Sequence, residues 1–302
     1  MHNPRADLAD VAYFLAIARH RSFRRAAVEL GVSASALSHA LKGLEDRLGV
    51  RLVNRTSRSV TLTAAGEELQ EATSGPLAAV GDAFERLNRY RDNPKGRVRL
   101  NVMGDAAVLL IGPVLPAFMD RYPDIELEIF CNNQMVDITE EGFDAGVRYG
   151  GTVPEDMVAQ RVSAEMHWVV AGAPAYFARF GEPAHPRDLA RHRCLRLRSG
   201  NDRVIRWDFD RDGEHIEIDV PGAITVNHSD AALPAMLAGG ALGYAPEPLL
   251  RPYVEAGQLR IVLPEWASPG GAFHVYYSSR RNAPVGLRLL IELLREMRPV
   301  GY

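Results

Sequence analysis

SASALSHALKGLEDRLG, residues 33–49, is the stretch on which the fold turns. At about 100° per residue, Leu37, Leu41, Leu44 and Leu48 fall on one side of a helix, and Ser35, Ser38, His39 and Lys42 fall roughly opposite. The leucine side suits a small core. The other side offers only hydroxyls, an imidazole and an ammonium, groups that hydrogen-bond to base edges or phosphates.

The preceding residues sharpen this reading. Ser22-Phe23-Arg24-Arg25-Ala26-Ala27-Val28-Glu29-Leu30 fits a short helix with Ser22 as its N-cap. Gly31 follows where a tight turn needs a positive φ, Val32 can plug that turn, and Ser33 can cap the next helix. Ala26 and Ala27 are small enough for the two helices to approach closely. Helix, glycine turn and helix at this spacing make a helix-turn-helix, a motif of DNA-binding proteins; an ordinary helical hairpin is the plainer alternative. Candidate DNA contacts on the pair are Arg24, Ser33, Ser35, Ser38, His39 and Lys42.

Composition points the same way. The chain has 302 residues, enough for two or three domains, and its hydrophobic share of 47% is that of a globular protein. No apolar run approaches a membrane span and no signal-peptide core opens the chain, so a cytoplasmic protein is expected. Two cysteines, Cys131 and Cys194, do not make a disulfide framework. The net charge of −3 hides an asymmetry: residues 1–64 hold ten Lys and Arg against five Asp and Glu, which leaves −8 on the remainder. A basic N-terminal module on an acidic body suits DNA contact by one end.

Around the helix pair, residues 7–19 read as an amphipathic helix with Leu8, Val11, Leu15, Ala18 and Phe14 near one face, the third member of a trihelical core. Past Gly49, Val50–Val53 and Val60–Thr63 read as two strands joined by a polar turn, a β-hairpin wing whose tip residues Arg55, Thr56 and Arg58 reach a minor groove or phosphates. Residues 63–92 then read as one long helix, interrupted at Gly75-Pro76. Its Leu77, Val80, Phe84 and Leu87 follow the 3–4–3 spacing of a dimerisation seam. Residues 93–96 form a hinge.

With SFRRAAVELGVSASALSHALKGLEDRLG, the wing RLVNRTSRSVTLTAAG and the long helix after it, the chain resembles the LysR-type transcriptional regulators. Residues 14–66 match that pattern nearly throughout; Ala34 departs from it, standing where many members carry glutamine. The resemblance implies an all-α winged helix-turn-helix domain (residues 1–63), a dimerising linker helix (64–92), a hinge (93–96) and a two-lobed α/β effector-binding domain like the periplasmic binding proteins (97–302). It places residues 97–165 and 271–302 in lobe 1 and 166–270 in lobe 2. The alternation of Val98, Leu100 and Val102, a helix over 107–121, a strand at 125–129, a helix at 137–142 and a strand at 145–148 support an α/β sheet independently. Further on, 166–171, 195–197, 224–226, 242–244 and 273–277 read as strands, 205–220 as a hairpin, and 174–180, 230–238 and 284–297 as helices.

Open α/β sheets bind ligands at the carboxyl ends of their strands. Asp105, Asn133 and Arg148 hold such positions in lobe 1, and the resemblance puts them on the effector wall. Asn227 and His228, with Arg198, form the wall expected of lobe 2. Arg148 and Arg198 beside Asp105 suit a small polar metabolite with an acidic group and a hydroxyl or amine. The alternative for Arg148 is an ion pair with Asp144. Catalysis finds no motif: GxSxG, HExxH and Walker sequences are absent. His185, His192 and Cys194 have no standard zinc spacing, so no metal or cofactor is expected.

The expectation is therefore a sequence-specific DNA-binding regulator and not an enzyme, a homodimer or homotetramer on double-stranded DNA with an interrupted inverted repeat, controlled by a small polar metabolite. RNA polymerase is a further possible partner. The alternatives are a metabolite-binding or catalytic α/β protein with an accessory helical domain, and a non-specific architectural DNA binder.

Overall fold

The computed structural model describes residues 4–55, 60–88, 93–154, 157–278 and 283–301. It divides into two compact units, residues 1–87 and 88–302.

In the first unit, α1 (Pro4–His20), α2 (Phe23–Leu30) and α3 (Ala34–Leu48) enclose Phe14, Ile17, Ala26, Leu37, Leu41 and Leu44, all nearly inaccessible. Two residues expected in that core lie outside it: Leu8 and Leu48 are both exposed. Leu48 is the last residue before Gly49, whose left-handed φ of 72° ends the helix, and Leu44 already closes the core. The turn between α2 and α3 forms as its sequence requires. Gly31 adopts φ 64°, its N–H and that of Val32 return to the end of α2, and Val32 packs on the core. The wing is shorter than expected, β1 (Val53–Arg55) pairing antiparallel with β2 (Val60–Leu62).

The long helix α4 (Ala64–Asn88) starts at Thr63, whose Oγ1 accepts the Gly66 N–H at 3.1 Å and donates to Arg51 O at 2.6 Å. The helix runs through Gly75-Pro76 without the expected interruption. Ala65, Leu69 and Leu77 pack on the helix-turn-helix core, so this part of α4 belongs to the first unit.

The second unit is built on one mixed seven-stranded sheet. Its strands are β3 (Gly96–Val102), β4 (Ile125–Cys131), β5 (Ala145–Tyr149), β6 (Met157–Gly172), β11 (Gly243–Pro246), β12 (Arg260–Val262) and β13 (Ser268–Ser278), while β7 (Arg196–Leu197) and β10 (Thr225–Val226) pair parallel outside it. β3 pairs parallel with β4 and β5; β13 lies antiparallel between β5 and β6, and β11 and β12 pair with β6. β6 begins at Met157, nine residues before the strand expected from sequence, and runs through three separate cores, the first of which it shares with β13. Val162, Met166, Phe273 and Val275 belong to the first core, which also holds Val98, Leu100, Val102 and the buried face of the helix Val285–Met297. Beyond Met166, β6 delivers Val169, Val170 and Ala171 to the second lobe's cores. β13 shifts register around Ala272, the irregularity that lets a strand serve two lobes.

Three expectations need correction. Residues 137–142 form turns instead of a helix. Asp137 Oδ1 takes the N–H groups of Thr139 and Glu140 at 2.8 and 3.0 Å, a local bond that competes with helix formation. The helix after β3 starts at Gly104 and changes pitch, with a π turn at Ala107–Ile111 and a 3-10 turn at Gly112–Val114, where Pro113 lacks the N–H a regular helix would use. The helix Glu247–Glu255 and strand β12 went unread, because Pro248 and Pro252 disguise the helical spacing.

A Cβ at Gly66 would stand 2.1 Å from Leu52 O, a backbone atom with no freedom to turn away. Gly66→Ala is expected to destabilise the first unit by about 2 kcal/mol, read as an earlier urea midpoint by circular dichroism. An unchanged midpoint would mean that α4 slides on Leu52 without cost.

Candidate nucleic-acid interface and interlobe site

In the first unit the polar side of α3 faces outward. Ser35, His39 and Lys42 are exposed and Ser38 is half-buried, spaced by three and four residues along one face. Ser33 is the N-cap: its Oγ accepts the Ala36 N–H at 3.1 Å and lies 2.9 Å from Ser35 Oγ. Arg24 is exposed in the first turn of α2.

The wing is locked to this face by two contacts. Arg55 sits in β1 instead of at a turn tip. Its Nη1 donates to Ser38 Oγ at 2.7 Å and its guanidinium lies 4.2 Å from the Phe23 ring centre, so it ties β1 to α3 and α2. Glu45 Oε1 accepts the N–H groups of Leu52 and Val53 at 2.8 and 3.1 Å, which fixes where the wing leaves the helix. Sequence reading missed Glu45; a carboxylate one turn past Lys42 on a helix followed by a strand was the available signal. An open groove of about 590 Å³ lies between α3 and the wing, lined by Ser38, Lys42, Glu45, Asp46, Arg51 and Arg55 among others. Thr56 and Arg58 lie outside the described residues.

On α4 the expected seam separates into two parts. Leu77 is half-buried against its own unit's core, while Val80, Phe84 and Leu87 are 50, 70 and 60% exposed. That free apolar row starts one turn later than the spacing predicted.

In the second unit, four of the six residues expected to hold an effector converge where the two lobes meet. Asn133 Oδ1 accepts the Gly104 N–H at 2.8 Å and its Nδ2 donates to Asn227 O at 2.6 Å, linking one lobe to the other. His228 packs over Gly104 so closely that a Cβ there would stand 2.7 Å from Nδ1. Asp105 is buried, and its Oδ2 accepts from Tyr149 Oη at 3.1 Å and from Ser229 Oγ, across the lobes, at 3.3 Å. Burial pushes the Asp105 carboxyl above the ordinary range, opposed by those two hydroxyls. Burial raises the Tyr149 phenol strongly as well, with Asp105 as the second cause, so the phenol stays a proton donor.

The two arginines are not part of this group. Arg148 is 3% exposed, and its terminal nitrogens donate to the carbonyls of Asn101 (3.1 Å), Val147 (2.8 Å), Asn132 (2.8 Å) and Gln134 (3.1 Å), and to Asn101 Oδ1. Only Nε is without a partner, and burial lowers the guanidinium below its ordinary value. With these bonds Arg148, expected as an effector contact or an Asp144 partner, braces the ends of β3 and β5 against the loop after β4. Arg198 donates to Asp202 O at 2.8 Å and to its carboxylate at 3.2 Å. Both hydroxyl partners of Asp105 were missed. Strand alternation was the signal for Tyr149: if Arg148 points to one side of β5, Tyr149 points to the other.

Cys194 is buried and its thiol is pushed up to about 12 by burial, which removes thiolate chemistry there; Cys131 is exposed. Among the described residues the side chains close enough to share a metal ion are Asp208, His215 and Glu217 on the hairpin of β8 (Trp207–Arg211) and β9 (Glu214–Ile218), not His185, His192 and Cys194. His215 Nδ1 also meets Asp210 at 2.9 Å, and Glu217 meets Arg206 at 3.4 Å.

Residues 8–67 match the family described as bacterial regulatory helix-turn-helix protein, lysR family, and residues 91–299 match the LysR substrate binding domain. The HTH-type transcriptional regulator YcaN of Escherichia coli is 38% identical over 96% of this chain and 95% of its own length; PgrR of the same organism is 32% identical over 96% and 98%. Both are named as regulators and not as enzymes. The full-length Vibrio cholerae virulence activator AphB superposes with a TM-score of 0.63 at 24% identity, covering 96% of this chain and 99% of that one. The LysR-type regulator CrgA of Neisseria meningitidis gives 0.61 at 25%, covering 96% and 98%. No described helix is long and apolar enough to cross a membrane.

Arg148→Ala is expected to take one donor from each of four carbonyls and an amide oxygen and to destabilise the second unit by about 3 kcal/mol, detected as a lower melting temperature with no ligand present. A melting temperature equal to wild type would return Arg148 to the list of ligand contacts.

Proposed function

We propose, for a chain that belongs to the LysR family of DNA-binding transcriptional regulators, that it reads an interrupted inverted repeat as a dimer or tetramer under control of a small polar molecule held between the lobes of its effector domain. The observation that supports the DNA reading best is the exposed row Ser35, His39 and Lys42 on a capped helix, with Arg55 bonded to Ser38 at its edge. Lys42 and Arg55 supply affinity for the phosphate backbone, while Ser35, Ser38 and His39 read base edges. Arg24 and Ser33 join that row as DNA contacts; Thr56 and Arg58, also expected to touch DNA, lie outside the described residues. The compartment this function requires is the cytoplasm, where a bacterial chromosome is found. Contact with RNA polymerase enters only where the output is activation.

Self-association runs through the free row of α4, Val80, Phe84 and Leu87, with Leu77 at its inner end. Two winged modules then meet half-sites about one helical turn apart on one DNA face. A ligand alters the output only to the degree that it binds one arrangement of the lobes better than another. Asp105, Asn133, Asn227 and His228 are the residues through which it does so.

Lys42→Ala should weaken binding to specific and random DNA alike and lower the salt slope by about one unit, whereas His39→Ala should change the preferred base. Filter binding across a salt series measures both. Unchanged affinity and base preference in His39→Ala would remove α3 as the reading helix.

Phe84→Asp places a charge in the apolar row and should shift the protein toward monomer in sedimentation, at a cost of several kcal/mol of association energy. An unchanged sedimentation profile would take the row out of the interface.

A further inference from the structure

Asp105 and Arg148 are the buried charged side chains among the described residues, and they differ in what they have left to offer. Both terminal nitrogens of Arg148 are engaged with main-chain carbonyls, and Arg198 is held by Asp202. Asp105 is different. Both of its donors, Tyr149 Oη and Ser229 Oγ, address Oδ2, and Oδ1 accepts no hydrogen bond among the described residues. The side chain is 94% buried, yet Oδ1 is not one of the sealed, partnerless atoms of the unit, so it is the acceptor that stays open to an incoming donor.

The charges that bear on Asp105 are of both signs: Asp230 disfavours its charge and His228 favours it. His228 itself stands 3.9 Å from Asp230. The Tyr149 ring, which reaches the same carboxyl, stacks on Phe273 at 4.7 Å and lies 6.1 Å from Trp168, so an aromatic wall borders the site.

We infer that the ligand of the interlobe site is an amine or other cationic hydrogen-bond donor, seated on Asp105 Oδ1 beside the Tyr149 ring, and not a carboxylate held by arginine. This rests on the ligand-controlled reading above and names the chemistry of its site. A positive donor matches a buried carboxylate by a charge-assisted bond and an aromatic face by its quadrupole. An anion would meet Asp105 and Asp230 with only one imidazole in its favour. Because Ser229 belongs to the second lobe and Tyr149 to the first, a cation on Asp105 bears on the same carboxyl that joins them.

The test is calorimetric and thermal-shift titration of the full-length protein with putrescine and benzylamine against succinate and benzoate at equal concentration. At least one amine should bind and raise the melting temperature while both acids leave it unmoved. Asp105→Asn should bind that amine about tenfold more weakly or worse, and its circular dichroism reports whether it has folded; if it has not, the wild-type contrast between amines and acids decides. Binding of an acid without an amine overturns the proposal and leaves ligand control standing. Binding of neither overturns the proposal and counts against ligand control at this site. Equal amine affinity in wild type and a folded Asp105→Asn places the amine elsewhere and also overturns it.

Discussion

The larger unit depends on the pairing of two strands, β6 and β13. They lie antiparallel side by side; both enter the core of Val162, Met166, Phe273 and Val275, and β6 runs on into two further cores, Val170 in one and Val169 with Ala171 in the other. A chain that crosses between lobes only as paired strands can change their arrangement by bending those strands and not by parting them. The register shift around Ala272 marks where the ladder is already irregular. The loops that face one another across the seam, 104–105, 132–134 and 227–229, are positioned by this pair. Asn133 with Asn227, Asp105 with Ser229, and the Met135 N–H on Gly200 O at 3.3 Å are polar links between the lobes.

The smaller unit answers a different constraint. A DNA-reading helix must be rigid relative to its wing, and the unit has little core with which to enforce that. Its solution is polar. Glu45 takes two wing N–H groups, Thr63 joins Arg51 to the start of α4, and Arg55 bridges β1, α3 and α2. Hydrogen bonds to a charged acceptor are stronger than neutral ones, so a few of them can fix a short hairpin that its own pairing would not.

Much of this was legible in the sequence because local chemistry decides it. Ser22, Gly31, Ser33 and Gly49 each do what their residue type does best, and the leucines of α3 keep their period until the helix ends. What the sequence concealed was non-local. Nothing near Arg148 reveals that its nitrogens face carbonyls of β3 and of the loop after β4, so the side chain expected to hold an acid is engaged with main chain. Tyr149 was hidden by its neighbour, Ser229 by its place at a helix start. Leu77 matched the spacing of a seam while the fold of its own unit covers it. Residues 137–142 had helical composition but an aspartate whose side chain holds its own turn.

Selection of duplexes from a random DNA library by the purified full-length protein tests the central claim most directly. The account predicts enrichment of a single interrupted inverted repeat with half-sites about one helical turn apart. Recovery of duplexes with no shared sequence, at an affinity that depends on salt alone, would contradict it and leave a non-specific DNA binder in its place.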